Sequence, residues 1–299
     1  MSFTSSKRTK LALLGCPVLA CGLLAAPAMA GYCGDDLPFG ECRVLIEINA
    51  TDGDIGFHWL ADGDDLNATR IDDPSGRKVF ENGAFGPLRE QKLTESFGES
   101  AEPPCWDQEG EADEDEIVTL LDFMEIWEAG EYFFIGKSDE GEKAYGMAEL
   151  SYYLPAAPAE VDFDEGVISW EAGADLGNCA SKEDLQALVD AEILPMHPEE
   201  VPVIAWEVVM EPDVDDTDAR ASLVFKTRVG PAATKVTVPT DYLKSLGENT
   251  PVKVEVGAIG GNFELDEGEV DGDDDNATFS EEDGFCANPN PVDAGCVDD

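Results

Sequence analysis

The segment Val252-Lys253-Val254-Glu255-Val256-Gly257-Ala258-Ile259 decides the fold class of this chain. Its apolar residues fall at every second position, 252, 254, 256 and then 258, which is the period of a strand with one buried face. Segments of the same kind lie upstream. They include Val161-Asp162-Phe163, Gly166-Val167-Ile168-Ser169-Trp170-Glu171 and Val203-Ile204-Ala205-Trp206-Glu207-Val208-Val209-Met210-Glu211. Ser222–Thr227 and Lys235–Pro239 follow, and Gly, Pro and Asp turn residues separate them all. Short strands at this spacing predict an antiparallel sandwich. A single helix interrupts them: Ser181 is placed to cap it, Asp184 sits at the capping-box position, and Leu185, Leu188 and Val189 share one face.

Pro155-Ala156-Ala157-Pro158 reads as a short stiff linker, before which a first β-rich half runs over residues 31–154. There, Cys42–Asn49 carries apolar residues at 44, 46 and 48. Gly56–Leu60 follows a Thr-Asp-Gly-Asp turn, and Arg77–Glu81 follows Pro74-Ser75-Gly76. Glu131–Gly136 and Ala144–Tyr153 flank Asp139-Glu140-Gly141-Glu142, a hairpin signal. Ile117, Leu120, Leu121, Met124 and Trp127 recur at helical spacing, and Gly130 stands beyond as a stop. The expected class is therefore mainly β, with two sandwich-like domains, the first with one helix and the second with a helical insert.

Residues 1–30 read as a secretory signal peptide. Lys7, Arg8 and Lys10 form the basic end, Leu11–Leu24 the apolar run, and Ala28-Met29-Ala30 a small-x-small cleavage site. A lipoprotein signal at Cys21 or Cys16 fits less well, because the apolar stretch continues past each cysteine. No later segment approaches the length of a membrane span. The location expected is extracellular or periplasmic, with no insertion in the membrane.

The 299 residues hold 18 Lys+Arg against 66 Asp+Glu, a formal charge of −48. Cleavage after Ala30 would remove three positive charges and no negative ones, leaving −51 on 269 residues. Such a chain repels phosphate backbones and anionic lipid heads, which excludes nucleic-acid and membrane-surface binding. Self-repulsion of this size suits salty water or divalent cations.

Six cysteines follow the signal: Cys33, Cys42, Cys105, Cys179, Cys286 and Cys296. An even count in an exported chain predicts disulfides, and no C-x-x-C supports a redox or zinc-ribbon reading. Fifteen pairings are open to six cysteines. Proximity favours Cys33–Cys42 and Cys286–Cys296, which leaves Cys105 with Cys179; Cys179–Cys286 is the rival.

Residues 155–287 resemble a fibronectin type III domain. The resemblance rests on Pro155…Pro158, the core tryptophan of Ile168-Ser169-Trp170-Glu171, Trp206–Glu211, and Leu246-Gly247-Glu248-Asn249-Thr250 before the alternating valines. Three features depart from that family. Val252 stands where a corner tyrosine is usual, residues 173–202 form a long insert holding Cys179, and an acidic insert occupies about 263–276 before Asn276-Ala277-Thr278-Phe279 resumes the last strand. Residues 288–299 form a tail. The layout as a whole resembles a group of exported bacterial proteins without known activity. The resemblance implies a fold and brings no catalytic residues.

The strongest local chemical signal is Asp271–Glu282. Asp271, Asp273 and Asp275 occupy positions 1, 3 and 5 of a calcium loop, and Glu282 falls at position 12. Asn276 replaces the usual glycine at position 6, no helices flank the loop, and a chain with 66 acids produces such spacing by chance. A solvated acidic loop is the plainer reading, and the shorter runs Asp52-Gly53-Asp54, Asp62–Asp65 and Asp213–Asp218 read as turns. His58 is expected in a strand and His197 in a loop, neither as a catalyst. Trp170, Trp206 and Trp127 are expected in cores, with Trp59 and Trp106 the freer aromatics, packed at a rim rather than offering a sugar platform. Asn49, Asn67 and Asn276 head glycosylation sequons, expected to be unmodified.

The function expected is that of an exported, non-catalytic binding, adhesive or structural module for a protein or glycan ligand. No cofactor is required, and calcium is a candidate stabiliser. A calcium-dependent adhesin tipped by the 266–282 loop is a variant of this reading. The alternative is a secreted carboxylate-dependent hydrolase, which two converging acids of shifted pKa in a cleft would favour.

Overall fold

The computed structural model describes residues 39–106, 117–138, 143–180, 182–260, 276–290 and 296. The signal segment, Cys33, the acidic stretches 107–116 and 261–275, and Ser181 lie outside the described residues. The chain is mainly β.

In the first half, β1 (Phe39–Asn49) buries Val44, Ile46 and Ile48, as the alternation requires. Asn49–Asp54 turns it into β2: Asn49 Oδ1 accepts from the amides of Thr51 and Asp52, and Gly53 takes a left-handed φ of 75°. β2 (Asp54–Asp72) is one strand of 19 residues where the sequence suggests a short one. Asp62–Asp65 does not reverse the chain. Asp65, at φ 58°, marks an irregularity where β2 changes neighbours, from β1 and β4 (Leu93–Glu99) to β5 (Gly130–Ser138) and β3 (Lys78–Glu81). β6 (Lys143–Leu150) pairs with β5 and comes back against β1, so the sheet curls around its own core of Phe57, Ile71, Tyr132 and Phe134. A short helix, α1 (Pro87–Gln91), precedes β4.

The helix expected around 117–127 is α2 (Leu120–Ile126), capped by Thr119 Oγ1, which accepts from the Asp122 amide. It buries Leu120, Phe123 and Met124, and leaves Leu121 exposed. Trp127 at its end stacks on Phe57, with centroids 3.9 Å apart and planes 3° apart.

In the second half, β7 (Ala159–Asp164), β8 (Val167–Glu171) and β11 (Lys235–Thr237) form a three-stranded sheet in the order β11-β8-β7. Facing it are β9 (Val203–Pro212), β10 (Phe225–Val229), β12 (Thr250–Gly260) and β13 (Ala277–Ala287), in the order β10-β9-β12-β13. Between them, Ile168 and Trp170 meet Trp206, Val208, Met210 and the valines 252, 254 and 256, with Trp170 and Trp206 at 5.8 Å. A helix the sequence reading did not place, α4 (Thr240–Leu246), closes one end. The Tyr242 hydroxyl donates to the carbonyls of Met210 and Leu223.

Two features bind the halves together. β1 pairs in parallel with β13, Glu47 beside Ala277 and Asn49 beside Phe279, so one ten-stranded sheet crosses both halves. The segment 155–158 is buried rather than an open linker. The Ala156 and Ala157 amides donate to Pro198 and Asp175, and Ser280 Oγ donates to the Pro158 carbonyl. The insert also belongs to the first core. Leu176, Leu185 and Leu194 pack there, and α3 (Lys182–Asp190) presents Leu185, Leu188 and Val189 to it. Gly177, at φ 60°, passes so close to Ala50 that a Cβ would stand 2.5 Å from its carbonyl oxygen.

Candidate functional site

The valines at 252, 254 and 256 point into the second core, so the alternate residues of β12 and their sheet neighbours point outward. Across this face run Lys226 and Arg228 on β10, Glu207 on β9, Lys253 and Glu255 on β12, Glu281 on β13, Glu47 on β1 and His58 on β2. Glu207 is buried and clamped by Lys226 at 2.6 Å and Arg228 at 2.7 Å. Burial pushes its carboxyl up, and the hydrogen bonds from the two cations outweigh that, so its pKa lies below the usual range. Lys253 bridges Glu211 at 3.2 Å and Glu281 at 3.1 Å.

Glu47 and Glu255 lack such partners. Burial, then Glu281 and Glu47 nearby, raise Glu255 to about 7. Burial is also the main cause of the raised pKa of Glu47; His58 opposes it, and Glu102 and Glu207 add to it. Asp54, at the start of β2, is raised to about 6 by burial and by Glu102 and Asp52.

At the β1–β2 end of this face three side chains converge. One ligand-capable atom from each of Glu47, His58 and Glu102 lies within 4.8 Å of the others. His58 Nε2 is 3.4 Å from a Glu102 oxygen, and Nδ1 is 3.7 Å from Glu99. Hairpin register accounts for two of the three. Glu47 pairs with Gly56 and Leu45 with His58, so Glu47 and His58 share a face, and the Asp-Gly turn signal at 52–53 was the sequence clue to that. Glu102 arrives from a loop with no local signal. Hydrogen bonds from the Ser100 amide to Phe57 and from the Ile55 amide to Pro103 pin that loop alongside β2.

The calcium-loop residues Asp271, Asp273 and Asp275 lie outside the described residues. Glu282 is exposed on β13, opposite Val254. Asn276 is buried and committed to the fold: its Oδ1 accepts from the Ile46 amide, and its Nδ2 donates to the carbonyls of Ser151 and Tyr153. Cys105 is bonded to Cys179 and Cys286 to Cys296. Cys42 is buried and disulfide-bonded, with Cys33 beyond the described residues. His197 is 5% exposed and caps a short turn, Nδ1 facing the Glu199 amide at 3.4 Å. Trp170 and Trp206 are in the second core, whereas Trp59 lies over Phe80 at 3.9 Å and Trp106 packs against Gly53.

A groove of about 490 Å³ opens where the halves meet. Its lining includes Thr51 from the first half, Asp175 and Gly177 from the insert, and Glu160, Ser280 and Glu282 from the second. No helix among the described residues is long and apolar enough to cross a membrane.

No protein-family model matches the chain, and no curated protein matches it. Among solved structures, the chain is similar to a biofilm-associated protein, BSP domain, at 10% identity and a TM-score of 0.21, over 85% of this chain. The chain spans only 30% of that structure's length, and a likeness this slight carries neither fold nor role.

Proposed function

We propose that the chain is an exported, non-catalytic binding, adhesive or structural module whose second half is a fibronectin type III-like sandwich. The observation that carries this reading is the single sheet that crosses both halves, with a buried junction and a disulfide from the insert to the first core. Such a body holds its loops and grooves at fixed positions, which is what a recognition scaffold requires. The order β11-β8-β7 facing β10-β9-β12-β13 supports the fibronectin type III reading. The disulfides support an oxidising compartment, hence export. The junction groove, with Glu160, Asp175 and Glu282 on its walls, suits a basic protein segment or a hydroxyl-rich glycan.

Fractionating the producing cells and counting free thiols tests export: the protein is expected outside the cytosol with none free, and a reduced cytosolic protein ends the reading. Binding of the oxidised protein to arrayed glycans and immobilised basic proteins tests recognition. A Glu160→Lys/Glu282→Lys double variant is expected to lose about tenfold or more in affinity for any partner that binds. Calcium at Asp271, Asp273, Asp275 and Glu282 stays part of the proposal; a rise in melting temperature with calcium beyond that with equal magnesium is its test.

The hydrolase reading draws on one observation, the raised carboxyls of Glu47 and Glu255 on a shared face. Turnover of a chromogenic glycoside panel that Glu255→Gln abolishes would favour it over the module.

A further inference from the structure

We propose that Glu47, His58 and Glu102 bind one divalent transition-metal ion of the zinc class, with His58 Nε2 as the nitrogen ligand. Four observations converge on this, independent of what the groove binds.

The donor set is mixed, one imidazole and two carboxylates, which suits zinc-class ions; calcium takes oxygen ligands alone. Zinc bonds of about 2.0–2.1 Å place tetrahedral ligand atoms roughly 3.3 Å apart. The 3.4 Å from His58 Nε2 to Glu102 already matches that edge, and a Glu47 oxygen lies within 4.8 Å of both.

His58 Nε2 is buried and, though near Glu102, makes no hydrogen bond to it or to any other group. A buried ring nitrogen left with an ionic contact at 3.4 Å and no hydrogen bond is costly. As a metal ligand it would be satisfied. Nδ1 meanwhile faces Glu99 at 3.7 Å, beyond hydrogen-bond distance but on the side from which a carboxylate can hold a ligating ring.

Gly56 lies beneath the convergence. A Cβ there would stand 2.9 Å from Glu102 Cγ and 3.1 Å from His58 Nε2, so the missing side chain leaves the ligands their room. The positions are also fixed in advance. Two ligands sit on paired strands, and the third sits on a loop hydrogen-bonded to β2 just before and just after Glu102. Its neighbour Cys105 is tied to Cys179. A divalent ion would cancel the like charges of Glu47 and Glu102, and water would complete the coordination.

The chain has two histidines, so the ring-nitrogen NMR signals of the chelator-treated, oxidised protein read the site directly. Titration with zinc chloride is expected to shift the His58 ring signals and saturate at one equivalent, with His197 unmoved. Calcium chloride is expected to leave the His58 ring where it was. Glu102→Gln, at an exposed position that spares the fold, is expected to weaken zinc binding by about tenfold or more, as is Glu47→Gln. The proposal is overturned if zinc moves His197 alone or neither ring, if calcium shifts His58 equally, or if both variants bind zinc as the parent does.

Discussion

Glu255 shows what burial does to a charge on a sheet. Its carboxyl titrates at about 7 in the folded chain against an ordinary value of 4.5, and Asp54 at about 6 against 3.8. Between those values the folded state holds more protons than the unfolded one, so stability falls as pH rises. The contribution of Glu255 is complete below about pH 4.5 and is lost as pH climbs through 7. Asp218 works in the opposite sense: hydrogen bonds from Arg220 hold it at about 2, and the stability it adds is lost as pH falls from 3.8 through 2. Melting temperature plotted against pH is therefore expected to peak on the acid side of neutrality, between about 4 and 6. Glu255→Gln is expected to flatten the limb between pH 5 and 8 while leaving the limb below pH 4 intact; an unchanged upper limb would assign that dependence elsewhere.

At the scale of elements, the insert carries the most information. Its sequence lies within the second half, but α3 and Leu176 complete the first core, and Cys179 closes on Cys105 across 74 residues. In the chain-entropy picture a loop of that length is worth about 4 kcal/mol when cross-linked. Cys105→Ala/Cys179→Ala is expected to lower stability by roughly that amount in denaturant unfolding. Hydrogen exchange should then rise first in α3, because it meets the first core through one apolar face, Leu185, Leu188 and Val189. Uniform loss of protection across both cores would argue against the staple role. The helix itself was visible from its spacing of apolar residues. Which core it would serve was not, since Leu185, Leu188 and Val189 fit any apolar surface equally well.

At the scale of the molecule, 66 acids against 18 basic residues repel one another across every surface. Local pairing, such as Glu207 with Lys226 and Arg228, relieves a minority of them, since 18 basic residues face 66 acids. Screening shortens from about 10 Å at 0.1 M salt to about 3 Å at 1 M. Sodium chloride over that range is expected to raise the melting temperature by several degrees. A flat response would mean that the charges are already compensated in the fold.

Alone, the sequence determined that the chain is mainly β, where most strands lie, that α2 and α3 exist, and that its cysteines suit disulfides. Each of these rests on local periodicity or composition, which neighbouring residues encode directly. Only the tertiary structure decided that β1 and β13 meet, that residues 155–158 are buried, and that Glu102 joins Glu47 and His58. Pairing between strands uses backbone groups that every residue carries, so a pairing across 230 positions, such as Glu47 of β1 beside Ala277 of β13, leaves no local trace in the side chains.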